Sequence, residues 1–115
     1  TECEIWGDGS ARREFMYAGD FVDAILYALD NFNSMPPLLN IGTGVDNTID
    51  EYYSIVADLM NYKGSFVYNL DKPVGMNQKL VSIEKQTTWG WSPAVTLREG
   101  IQKTYDCYLQ GKIYK

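Results

Sequence analysis

An α/β fold is what this sequence predicts, and three observations carry that expectation. Short apolar runs at residues 3–6, 38–41 and 65–69 alternate with longer stretches of helical periodicity at 20–32, 49–60 and 97–108. Turn-forming clusters separate them, at Gly7-Asp8-Gly9, Pro36-Pro37 and Lys72-Pro73. The length of 115 residues, with 45% hydrophobic and 22% charged residues, suits one globular domain with its own core. The expected architecture is short strands alternating with three main helices.

The elements follow in order. Residues 3–6 and 15–17 read as short strands on either side of a glycine–arginine loop. Phe21, Ile25, Leu26, Leu29 and Phe32 recur at helical spacing and predict an amphipathic helix, which Pro36-Pro37 ends. Leu38–Ile41 reads as a short buried strand. Thr48 with Glu51 three residues on predicts a capping box, opening a helix that carries Ile49, Tyr52, Val56, Leu59 and Met60. A strand at Ser65–Asn69 and a polar loop over 70–78 come next. Lys79–Val81 reads as a short strand and Ile83–Thr88 as a short helix. Thr96 and Glu99 form a second capping box for a last helix bearing Leu97, Ile101, Tyr105 and Tyr108.

Composition excludes several function classes. A net charge of −5 argues against a nucleic-acid partner, because no basic stripe is present to neutralise phosphates along a strand. No apolar run approaches the ~20 residues needed to span a bilayer, and no signal peptide is visible. The chain has no histidine, and its two cysteines, Cys3 and Cys107, lie far apart, so no metal site is expected. Both cysteines are expected to pack as small apolar groups in a reducing cytoplasm.

Four patterns bear on chemistry. In Trp6-Gly7-Asp8-Gly9-Ser10-Ala11-Arg12-Arg13, two glycines let a ligand approach the main chain and two arginines offer planar donor forks suited to phosphate. A plain strand–loop–strand connection with solvated arginines is the alternative. Gly42-Thr43-Gly44 suggests a dinucleotide loop, but Asn47 stands where the third glycine belongs, so a structural connection is expected. Tyr68 and Lys72 match a Tyr-x-x-x-Lys spacing whose chemistry needs one helix. Pro73 directly after Lys72 argues against that helix, so the match is read as coincidence. The pair Trp89 and Trp91 is expected to fix the lead-in to the last helix, rather than form a carbohydrate platform.

The segments WGDGSARREFMYAGDFVDA, LLNIGTGVDNTIDEYYSIVADLM, DKPVGMNQKL and WGWSPAVTLREGI together resemble the carboxy-terminal substrate domain of the GDP-L-fucose synthase family, in the extended short-chain dehydrogenase/reductase superfamily. The resemblance covers nearly the whole chain. It implies that residues 1–115 are a nucleotide-sugar-binding domain and that the Rossmann cofactor domain and the catalytic residues lie upstream, leaving this piece inactive alone. It implies substrate contacts at Trp6, Arg13 and Lys79, with Arg12 solvated or accessory. Two positions depart from the family pattern. Val74 replaces an acidic residue that touches the substrate, and Gly19 replaces an acidic residue before the first helix, while Asp20 is retained as its expected N-cap. The resemblance further implies NADP(H) as cofactor of the intact enzyme, a GDP-sugar substrate, a homodimer and a cytoplasmic location. A reductase or epimerase of another GDP-keto-sugar, such as a heptose, and a non-catalytic nucleotide-sugar-binding module are the alternatives.

Overall fold

The structure, a computed structural model, describes residues 1–111 and is α/β. Its strands are β1 (Glu2–Trp6), β2 (Arg12–Arg13), β3 (Asn47–Thr48), β4 (Ser65–Asn69) and β5 (Gln78–Lys79). Its helices are α1 (Ala18–Asp30), α2 (Ile49–Leu59), α3 (Glu84–Trp89) and α4 (Leu97–Leu109), with one 3-10 turn at Phe32–Ser34. The chain divides into two compact units. The first joins Thr1–Glu14 to Val45–Leu80, and the second joins Phe15–Gly44 to the segment from Val81 on.

In the first unit β1 and β4 pair in parallel, with Glu2 opposite Ser65 and Trp6 opposite Asn69. A second sheet places β2 between β3, antiparallel, and β5, parallel. The expected strand at 15–17 is therefore displaced to Arg12–Arg13, because the pairing partners at 47–48 and 78–79 reach only that far. Ile5 and Tyr52 are the large buried side chains of this unit, and the Tyr52 hydroxyl donates to the Arg13 carbonyl at 2.7 Å. The Thr48–Glu51 capping box forms as expected: the Glu51 amide donates to the Thr48 hydroxyl, and Glu51 accepts from the Thr48 amide at 2.7 Å. That bond holds the Glu51 carboxyl below its ordinary pKa.

The second unit corrects two expectations. Asp20 is not an N-cap: Tyr17 occupies that position without a side-chain bond, and buried Asp20 accepts from the backbone amides of Ala94 and Val95 at 3.4 and 3.0 Å. Leu38–Ile41 forms no strand, and Leu38 is 75% exposed. Helix α1 is amphipathic, but within this unit it packs through its polar side. Asp20, Ala24 and Tyr27 face inward at helical spacing, Asp23 accepts from the Trp91 indole at 2.9 Å, and Tyr27 donates to the Trp89 carbonyl. Its large aliphatic residues, Ile25, Leu26 and Leu29 among them, and Phe21 are about half exposed or more. Trp91 is buried, and Tyr27 meets Trp89 edge-on at 4.8 Å, so the tryptophan pair has the structural role expected of it. The second capping box, Thr96 with Glu99, also forms.

Candidate functional site

All four residues singled out for ligand contact, Trp6, Arg13, Val74 and Lys79, lie in the first unit. The loop between β1 and β2 is built tightly. Gly7 and Gly9 are buried with φ of 78° and 76°, the left-handed region that an L side chain avoids. The Gly7 amide donates to the Asn69 carbonyl at 2.8 Å, and the Asp50 amide to the Gly9 carbonyl at 3.1 Å. A Cβ on Gly7 would collide with Val74 Cγ1, so the Val74 side chain sits directly on the Gly7 backbone. Asp8 accepts from the Ser10 hydroxyl and amide, which lowers its pKa and fixes the turn into β2.

Strand alternation then sorts the two arginines. Arg12 shares a face with Gln78, its register partner, and both reach the Asp46 carboxylate, at 2.9 and 2.6 Å. The Gln78 bond, more than the Arg12 guanidinium, lowers the Asp46 pKa. Arg12 is thus a partly exposed brace of the sheet, accessory to the ligand face. Arg13 lies on the opposite face in a row with Asn47 and Lys79, its partners across the three strands. Arg13 Nη1 donates to the Arg12 and Met76 carbonyls, both at 2.7 Å, and Nη2 to the Val74 carbonyl at 3.0 Å. These bonds hold the 74–76 loop beside the strand and, among the described residues, leave the Nε–H and one Nη2–H uncommitted. Lys79 is exposed and makes no hydrogen bond or ion pair among the described residues. The face therefore carries two adjacent cations, neither of them in an ion pair among the described residues.

Trp6 is 57% exposed, its indole N–H donates to Glu4 at 2.8 Å, and the Lys72 ammonium lies 5.3 Å from its ring centroid. Lys72 had no signal in the sequence, because its reach to Trp6 depends on the parallel β1–β4 register, whereas Glu4, two residues before Trp6 on one strand, was within reach of period-two alternation. Tyr68 is on strand β4 and donates to Asp50 at 2.6 Å, which raises its pKa; Lys72 lies in the following turn, so the two share no helix.

Gly42-Thr43-Gly44 is an internal connection of the second unit. The side chain of fully buried Gln86 accepts from the Gly42 amide at 2.8 Å and donates to the Gly42 carbonyl at 3.0 Å. The Ile83 side chain covers Gly44, where a Cβ would come within 2.6 Å of Ile83 Cδ1. The amide a phosphate would need is taken, so this loop does not fit a dinucleotide. Among the described residues no group of three or more Cys, Asp or Glu side chains is arranged to hold a metal, and no helix is long and apolar enough to cross a membrane.

Comparison with known proteins defines the class first. Residues 1–42 match the NAD dependent epimerase/dehydratase family. The chain superposes with a TM-score of 0.88 on a GDP-6-OMe-4-keto-L-xylo-heptose reductase from C. jejuni, at 30% identity over 96% of this chain and 34% of that one. It also superposes with a TM-score of 0.81 on a GDP-mannoheptose C4 reductase from Campylobacter jejuni with NADP bound, at 31% identity over 94% and 35%. These structural neighbours are nucleotide-sugar reductases of the extended short-chain dehydrogenase/reductase superfamily, and the chain is similar to that class over nearly its whole length. Within it, the chain is similar to GDP-L-colitose synthase of Yersinia pseudotuberculosis, at 51% identity over 97% of this chain and 36% of the relative. It is also similar to GDP-L-fucose synthase of Azorhizobium caulinodans, at 48% identity over 93% and 34%. It spans about a third of the length of these curated relatives.

Proposed function

We propose that this chain is the GDP-sugar-binding part of a GDP-L-fucose synthase-like enzyme. The intact enzyme epimerises C3 and C5 and reduces C4 of GDP-4-keto-6-deoxy-D-mannose. The observation that carries this reading is the pairing of Arg13 and Lys79 in register on one sheet face, with Trp6 and Val74 in the same unit. Two cations at adjacent strand positions match a diphosphate, and the spare Arg13 donors supply direction where the Lys79 ammonium supplies charge. Holding the nucleotide end fixes the sugar relative to groups elsewhere in the enzyme, and such positioning contributes several kcal/mol to catalysis.

The C4 ketone of the substrate acidifies the C3 and C5 protons, so epimerisation needs only positioned acid/base groups. NADP(H), bound by residues outside this chain, supplies the hydride for C4. The chain alone is inactive, and the intact enzyme is a cytoplasmic homodimer. Calorimetry of the intact enzyme with GDP-sugar tests the site: Arg13→Ala weakens binding by ~10- to 100-fold, as expected for loss of charge-assisted bonds to phosphate, without unfolding the protein. Unchanged affinity removes Arg13 from the site. Reduction of the keto-sugar by the purified chain would overturn its assignment as a binding part only.

Val74 supports a second reading, action on a different GDP-keto-sugar such as a heptose. An isopropyl group cannot accept the hydrogen bond that an acidic residue there would accept. A substrate hydroxyl facing this position loses a partner, which costs ~1–3 kcal/mol if it is buried.

A further inference from the structure

The Trp6 indole is oriented by a group of residues that the ligand reading did not include. Glu4 and Trp6 alternate on the same face of β1, and Asn69 is the register partner of Trp6 on β4, so the three side chains share one side of the sheet. One Glu4 oxygen accepts from the indole N–H at 2.8 Å, and the other accepts from the Asn69 amide at 3.1 Å. Asn69 also shapes the following turn: its side-chain oxygen accepts from the Asp71 amide at 3.2 Å, and its carbonyl from the Lys72 amide at 3.3 Å. That turn brings the Lys72 ammonium over the indole, 5.3 Å from the ring centroid, where it forms no ion pair among the described residues.

We propose that Glu4 is a positioning residue that locks the Trp6 indole as a flat platform for the nucleotide end of the ligand, with Asn69 and Lys72 completing the lock from β4. An exposed tryptophan on a strand otherwise samples several rotamers, and ordering it on binding opposes affinity. Here Glu4 fixes the edge that carries the N–H and Lys72 covers one face. The ring is left open elsewhere, ready to receive a base or ribose by stacking. This inference rests on the reading of Trp6 as a ligand contact.

The test uses the full-length protein with GDP as the probe. Trp6→Ala, Glu4→Ala and Glu4→Gln are compared by calorimetry, and the Trp6 indole N–H resonance is identified by its loss in Trp6→Phe. Glu4→Ala is expected to weaken GDP binding about 3- to 10-fold, the scale of one newly mobile side chain. It also moves the indole resonance toward that of a solvent-exposed N–H, without lowering the melting temperature. Glu4→Gln, whose amide oxygen still accepts from the indole but whose NH2 cannot accept from Asn69, recovers part of both. If Trp6→Ala weakens GDP binding while Glu4→Ala changes neither affinity nor the resonance, Glu4 does not position the ring and the inference fails, with the ligand site intact. Equal losses in Glu4→Ala and Glu4→Gln also overturn it, since charge rather than the bond to the indole then matters. If Trp6→Ala leaves GDP binding unchanged, the ligand reading of Trp6 fails and takes this inference with it.

Discussion

Replacing Gln86 by glutamate converts a silent structural bond into a pH-dependent one. The Gln86 amide is fully buried and makes two bonds to Gly42, accepting at 2.8 Å and donating at 3.0 Å. A neutral carboxylic acid can copy both, its hydroxyl donating to the Gly42 carbonyl and its carbonyl accepting from the Gly42 amide. An ionised carboxylate cannot, because it sets oxygen against oxygen in a dry site. The introduced carboxyl is therefore held neutral in the folded state, with a folded pKa above its unfolded value of about 4.3. The sign follows directly: the variant keeps its stability below the unfolded pKa and loses it as pH rises toward the folded pKa. The loss grows by about 1.4 kcal/mol per pH unit, to at most about 3.7 kcal/mol at pH 7. Gln86→Leu instead strands both Gly42 groups at every pH, costing ~1–3 kcal/mol for each. Urea unfolding of wild type, Gln86→Glu and Gln86→Leu between about pH 4 and pH 8 separates the two behaviours. Near pH 4 the glutamate variant should approach wild type while the leucine variant does not. Parallel losses in both variants across the range, or a glutamate variant as stable as wild type at pH 8, would refute the reasoning.

Three further outcomes are expected. Gly7→Ala costs about 1–2 kcal/mol for its left-handed backbone alone; denaturation should show that loss, and Val74→Ala in the same chain should relieve the added collision with Val74 Cγ1 but not the backbone term. Val74→Asp in the intact enzyme should change the ranking of kcat/KM between 6-deoxy-hexose and heptose GDP-keto-sugars; equal ratios in both proteins would mean that position 74 does not face the sugar. The carboxyls of Asp46, Glu51 and Glu99 all titrate below their ordinary values in the folded state, so their contribution is full above about pH 4.3 and is lost as pH falls through the lower folded values. Glu51→Gln with Glu99→Gln should flatten the acid limb of a melting-temperature profile.

What could be read in the sequence was what local chemistry decides. Both capping boxes need only residues three apart, and both form. Strand β4 runs over the expected residues, because its apolar character and flanking turns are local too. What needed long-range partners was misplaced. The strand expected at 15–17 sits at Arg12–Arg13, because β3 and β5 pair there. Leu38–Ile41 looked like a strand, but the neighbouring Gly42 polar groups are met by a glutamine side chain from α3. Asp20 carried a capping residue's chemistry and spends it on amides 74 and 75 positions away. Periodicity located α1 well but could not say which of its faces this chain covers. Of the ligand-contact set, the residues themselves were legible, whereas the Glu4–Asn69 support and the loop-holding bonds of Arg13 follow from a register that no short window contains.

The two compact units are interleaved along the chain, and this constrains the order in which the protein can assemble. As a nascent polypeptide emerges, β1 has no partner until residues 65–69 follow, and β2 stays without its parallel neighbour until residues 78–79 appear. The 30 residues between the two parts of the first unit, Phe15–Gly44, belong to the second. Closing such a long loop has an entropic cost before any contact rewards it, and topologies dominated by distant pairings fold slowly. Residues 1–42, the stretch matched by the family model, thus take in parts of both units and complete neither. Cutting the gene at that sequence boundary would yield a peptide with β1 but not the strand that β1 needs.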